Sequence, residues 1–120
     1  MKNEQTDLKE RTKLYARRVI RMFATLPRET AAQVLGKQVL RSGTSVGANY
    51  REASRARSKA EFIAKIGDCL KEIDESQYWL ELLVDENFVA GEKMASLLDE
   101  TNQLIAIFVT ILKKSQRWLN

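Results

Sequence analysis

The sequence predicts an all-α protein, an antiparallel up-down-up-down four-helix bundle. Three observations carry that expectation. The 120 residues include one proline and five glycines and are rich in Ala, Leu, Glu, Lys and Arg, which favour helix. Apolar residues recur at alternating spacings of three and four through long segments. Short turn signals separate those segments, and short connections favour antiparallel neighbours. No run alternates apolar and polar residues between turn signals, as a strand would. The length suits a single domain over 1–120, with no repeat, linker or low-complexity tract to divide it.

The first helix is expected from about Asp7 to Ala24, with Asp7 as N-cap. Leu8, Tyr15, Val19, Met22, Phe23 and Leu26 form its apolar stripe, and Lys9, Arg11, Lys13, Arg17, Arg18 and Arg21 its basic face. Pro27 breaks the pattern and suits the first turn of a second helix. That helix keeps one seam through Ala32, Leu35, Val39, Ser42, Val46, Asn49, Ala53 and Ala56. A third helix starts at Ser58, where Ser58 and Glu61 have capping-box spacing. Its seam is Phe62, Ile66, Cys69, Ile73, Ser76, Leu80 and Leu83. "DENFVAGE" at 85–92 supplies the last turn, and a fourth helix runs from about Glu92 to Trp118. Met94, Leu97, Leu98, Thr101, Leu104, Ile105, Phe108, Ile111, Leu112 and Ser115 make its seam. Helices two to four should each be roughly 40 Å long at about 1.5 Å per residue.

The stretch "RSGTSVGANYRE" at 41–52 has the residues of a glycine-rich phosphate loop. A Walker-type loop needs four residues between its glycines and then Lys-Ser/Thr; here three separate Gly43 from Gly47, and Ala48-Asn49 follow. No strand precedes it, as a dinucleotide fingerprint requires. The helical seam passes straight through, so Gly43 and Gly47 are small residues that let a neighbouring helix approach, as in a small-xxx-small motif. Asn49 on the seam is expected to be a buried amide that fixes register.

The sequence contains no histidine, which removes the commonest general base and metal ligand. The lone Cys69 has no disulfide partner and no base, and it falls on an apolar seam. Glu72 and Glu75 lack the histidines of a di-metal bundle. The expectation is a protein with no catalytic or metal-binding residues and no cofactor. The charged N-terminus "MKNEQTDLKER" is unlike a signal peptide, so the cytoplasm is expected. The longest apolar run, "LIAIFVTIL" at 104–112, is too short to span a bilayer, so no membrane partner is expected. That run is apolar all round its helix, however, and "YWLELLV" at 78–84 nearly is. Such helices need cover on a second side, which predicts a homo-oligomer.

Charge is uneven. Residues 1–60 hold 14 Lys/Arg against 5 Asp/Glu, a formal +9, and residues 61–120 hold 6 against 11, a formal −5, giving the net +4. A basic half suggests a polyanion or a charged subunit contact. Candidate nucleic-acid contacts are Arg11, Arg17, Arg18 and Arg21 on helix one, with Arg51, Arg55, Arg57, Lys59 and Lys65 further on. Equally, Glu72 and Glu75 are candidate partners for Arg51 or Arg55 within the fold.

The segment "LRSGTSVGANYREASRARSKAEFIAKIGDCLKEIDESQYWLELL" at 40–83 resembles the 23S rRNA intervening-sequence proteins, small bacterial four-helix-bundle proteins. The motif positions that match include Arg41, Ser42, Ser45, Gly47, Asn49, Tyr50, Arg51, Glu52, Ala53, Ser58, Phe62, Lys65, Glu72, Glu75, Tyr78, Trp79 and Leu80. Tyr78 and Trp79 read as packing anchors. The resemblance implies a ring-like pentamer. It also suggests kinship with the pentameric, nucleic-acid-binding accessory proteins of diversity-generating retroelements. Two expectations follow: an assembly binding RNA or DNA through basic helix faces, or a scaffold that presents Trp118, Tyr15 or acidic patches to a protein partner.

Overall fold

Each apolar seam becomes the inner face of a helix. The computed structural model describes residues 4–117, which form α1 (Glu4–Ala24), α2 (Thr30–Ser54), α3 (Lys59–Asp85) and α4 (Gly91–Arg117). Among the described residues there is no strand. Each helix packs on the next in sequence, and the bundle measures 48 × 28 × 19 Å. Trp118 lies outside the described residues.

The turns explain the helix limits. The chain is already helical at Glu4, so Asp7 lies inside α1 and is not its cap. Pro27 precedes α2, which starts only at Thr30. Leu26 is 8% exposed, and turning it into the core uses the residues that Pro27 would otherwise have started as a helix. The Gln33 side-chain amide donates to Pro27 O at 2.9 Å and holds the corner. The start of α3 follows the capping box: Glu61 N donates to Ser58 Oγ at 3.0 Å, and Arg57 N donates to Glu61 Oε2 at 3.1 Å. α3 ends in a Schellman motif. Asn87 takes φ 63°, Phe88 N donates to Leu83 O at 3.0 Å and Asn87 N to Val84 O at 2.9 Å.

Besides the buried Thr12 and Ser115, the core carries one layer of hydroxyls, to which every helix contributes. Tyr15, Ser42, Ser76 and Thr101 are each 0% exposed. Thr101 donates to Leu97 O at 2.8 Å, so the Tyr15 phenol donates to Thr101 Oγ1, 2.7 Å away. Ser76 donates to Glu72 O at 2.9 Å, so Ser42 donates to Ser76 Oγ at 2.7 Å. Tyr15 therefore cannot be presented to a partner, contrary to the scaffold expectation.

Gly43 and Gly47 face α1. A Cβ on Gly43 would stand 2.9 Å from Val19 Cγ2, and one on Gly47 would stand 3.2 Å from Thr12 Oγ1. The neighbour these glycines admit is thus the first helix of the same chain. Asn49 is only half-buried; the buried side chain is its neighbour Tyr50, 2% exposed and tilted against Phe108 with ring centroids 6.2 Å apart. α2 packs against both α1 and α3, so its buried stripe is wider than a single seam and takes in Gly36, Gly43 and Tyr50.

Two substitutions test the glycine assignment. Gly43→Ala should destabilise the fold by about 1–3 kcal/mol, because the stiff, buried Val19 cannot yield. Gly67, with nothing within 4 Å of its would-be Cβ, should gain about 0.5–1 kcal/mol as Gly67→Ala. Urea unfolding measures both, and equal effects would remove the packing argument.

A pH titration tests the hydroxyl layer. Burial pushes the Tyr15 phenol up to about 12 from 10. The unfolded chain then releases this proton first, so stability should be constant below pH 10 and fall as pH rises toward 12. Tyr15→Phe should lose about 1–2 kcal/mol at neutral pH and lack that decline. Because Cys69 is also pushed up, to about 12, both proteins should carry Cys69→Ala.

Candidate nucleic-acid interface

The antiparallel pairing of α1 and α2 sets the start of one beside the end of the other. Lys9 and Lys13 stand four residues apart on α1 and share a helix face, while Arg51 lies in the last turn of α2 and Arg55 is the residue that caps it. Between the helices runs a groove of about 240 Å³, with Lys9, Lys13 and Arg51 at its edge and Ala16, Gly47 and Ala48 within it. Arg51 and Ala48 also line a second, more open recess of about 670 Å³, together with Arg55, Arg57 and Lys65 and the acids Glu52 and Glu61. The two recesses form one basic track around the α2–α3 end of the bundle.

The candidate cations divide. Arg11 faces α4 and forks onto Glu100, with Nη2–Oε1 2.7 Å and Nε–Oε2 3.2 Å, and it also donates to Gln103 at 3.2 Å. Arg18 donates to Ser96 Oγ at 2.8 Å, on the same seam. Arg21 lies at the far end of the bundle in a recess with Lys93 and Phe88, and Arg17 is exposed. Arg11, Arg18 and Arg21 therefore do not join the track, and Arg17, one turn beyond Lys13, lines neither recess. Lys65 reaches Glu52 at 2.7 Å, and that carboxylate holds its amine charged to higher pH than usual. Lys59 lies in the adjoining recess beside Arg57 and Ser58.

Glu72 and Glu75 do not pair with Arg51 or Arg55. Both are held by Arg41, at 3.0 and 2.9 Å, and Glu75 first, then Glu72, raise the guanidinium pKa further. The turn at Ser58 dictates this. Antiparallel helices pair residues equidistant from their turn, and Arg41 and Glu75, 34 positions apart, lie symmetrically about Ser58. Among the described residues, no carboxylate forms an ion pair with Arg51, Arg55 or Arg57. Lys9 and Lys13, absent from the sequence-based candidates, join the site. Their i,i+4 spacing beside Thr12, the residue that Gly47 approaches, was the available signal.

The aromatic side chains lie elsewhere. Tyr78 is 56% exposed on α3, edge-on to Trp79 at 5.1 Å. Trp79 packs against the core with its Nε1 buried and without a hydrogen-bond partner among the described residues.

Comparison with known proteins adds two findings. The model of a family described as 23S rRNA-intervening sequence protein matches residues 4–110. The chain is also similar to a solved structure from Bacteroides thetaiotaomicron, a protein of unknown function from the S23 ribosomal protein family. The two share 38% identity and a TM-score of 0.82, over 88% of this chain and 97% of the other. No curated protein matches.

Cys69 is the remaining reactive group, and its surroundings suppress it. It is 0% exposed, its thiol points at Val46 O at 3.6 Å, and burial, then Asp68, push its pKa up to about 12. A thiol-specific chromogenic reagent at pH 8 should leave it unmodified over hours in the native protein and label it within minutes in denaturant. Fast native labelling would contradict the buried placement.

Proposed function

Since the chain belongs to the 23S rRNA-intervening sequence protein family, we propose that it is a non-enzymatic cytoplasmic RNA-binding protein that acts as a ring-shaped homopentamer. The observation that carries the binding half is the basic track: Arg51, Arg55 and Arg57 line connected recesses with Lys9 and Lys13, and no described carboxylate forms an ion pair with the three guanidinium groups, although Glu52 and Glu61 share the second recess. Glu72 and Glu75 are held by Arg41, Glu52 is held by Lys65, and Glu61 accepts from the Arg57 backbone N–H. Guanidinium groups at a groove are suited to phosphate oxygens. A ring would multiply a modest site by repetition.

Apolar surface left over by the single chain supports the assembly half. On α4, Ile105, Ile107, Val109 and Ile111 remain half-exposed while Leu104 and Phe108 fill the core. Leu14, Ile20 and Val34 are each about half exposed on α1 and α2. α4 is long and apolar enough to cross a bilayer by length and composition; Met94, Leu97, Thr101, Leu104, Phe108 and Ser115 bury one face of it against its neighbours, and most of its apolar stretch stays uncovered by the single chain. A second reading, a protein-interaction scaffold, draws on the exposed Tyr78 beside the unpaired Trp79 donor.

Arg51→Glu with Arg55→Glu should abolish RNA binding in a gel-shift titration and leave the oligomer mass unchanged in mass photometry. Unchanged RNA binding would remove this site. A protein partner retained after nuclease treatment, with no RNA bound by the purified protein, would favour the scaffold.

A further inference from the structure

Resting on the RNA-binding reading, we propose that the basic track recognises the phosphate backbone of a double-helical segment, independently of its sequence. The argument begins with the construction of the groove. Gly47 meets Thr12 so closely that a Cβ would stand 3.2 Å from Oγ1 and 3.4 Å from the backbone carbonyl carbon. Lys9 and Lys13 flank Thr12, and Arg51 lies one turn beyond Gly47. The close approach of the helices therefore sets cations on both banks of a narrow groove with small residues between them. The second recess carries the track on through Arg55 and Arg57, past Glu52, which Lys65 holds, and Glu61, which accepts from Arg57 N.

No aromatic residue lines either recess among the described residues. Proteins that hold single strands combine a basic groove with aromatic faces on which the unstacked bases lie, and sequence-specific RNA readers do likewise. Here the two features are separated. The exposed Tyr78 lies on α3 among Asp74, Glu75 and Glu81, a neighbourhood that repels a polyanion. Tyr50, at the end of α2 that carries the track, is 2% exposed against Phe108. A ligand on this track thus finds charge for its phosphates and, among the described residues that line the two recesses, no platform for its bases. A duplex, whose bases stack on one another and whose phosphates form a regular lattice, needs only the former.

The test uses the full-length wild-type protein and three RNAs of equal nucleotide number: two hairpin duplexes of unrelated sequence and an unstructured single strand. Fluorescence anisotropy at several salt concentrations should show the two duplexes binding within about twofold of each other. Both should bind at least tenfold tighter than the single strand. Lys9→Ala with Lys13→Ala should weaken both duplexes alike and flatten the slope of log K against log salt by about 2, one per lost phosphate contact. Equal or tighter binding of the single strand, or a tenfold preference between the duplexes, would overturn the duplex inference and leave RNA binding standing. No binding of any of the three would instead overturn the RNA-binding reading and this inference with it.

Discussion

The buried hydroxyl layer is the constraint on which the axial positions of the helices depend. Apolar side chains tolerate sliding, because one Leu contact exchanges for another at small cost. Tyr15–Thr101 and Ser42–Ser76 do not. A shift of one turn would take the acceptors from Tyr15 and Ser42, at about 1–3 kcal/mol each, while Thr101 and Ser76 keep the carbonyls of their own helices. With the register fixed, the edges follow. Arg41 meets Glu72 and Glu75 across α2 and α3, Glu52 meets Lys65, and Arg11 meets Glu100 across α1 and α4. These edge pairs are half-exposed and contribute little individually, so they record the register more than they set it.

The glycines act at right angles to that layer. Hydroxyl pairs fix position along the bundle axis; Gly43 and Gly47 fix separation between α1 and α2. Each lowers local helix propensity by roughly 1 kcal/mol, and the return is contact between Val19, Thr12 and the α2 backbone. The same approach narrows the groove that carries Lys9, Lys13 and Arg51. A feature that first resembles a nucleotide loop thus concerns phosphate only indirectly, through the spacing of two helices.

Much of the fold was legible because the seams are local. Ser42, Ser76 and Thr101 could be placed on inward faces by counting threes and fours, and Ser58 with Glu61 marked a helix start. Which hydroxyl meets which could not be read, since pairing depends on rotation about each axis. Asn49 shows the limit: strict alternation chooses it, but a real helix has 3.6 residues per turn and α2 faces two neighbours, so Tyr50 is buried instead. Pro27 was misplaced because propensity said nothing about the need to bury Leu26. The partner of Glu72 and Glu75 was misread for a different reason. Arg51 and Arg55 are nearer in sequence, yet reflection through the Ser58 turn selects Arg41. Lys9 and Lys13 were seen as part of a basic face, but their meeting with Arg51 depends on the α1–α2 contact.

The cations of the track do not need carboxylates to make the fold stable. Arg51 occupies the last turn of α2, and Lys114 and Arg117 the last turn of α4, at the same end of the bundle. Helix C-termini carry a partial negative charge from unpaired carbonyls, and a cation there is worth about 0.3–1 kcal/mol. The helix ends thus supply a diffuse counter-charge that leaves side-chain donors directed outward. Arg41 and Arg11 lie mid-helix, where no such end effect exists, and they take discrete carboxylates instead. Placement along α2 therefore separates mid-helix Arg41, paired within the fold, from helix-end Arg51, which faces solvent. A phosphate can approach the latter without first displacing a carboxylate.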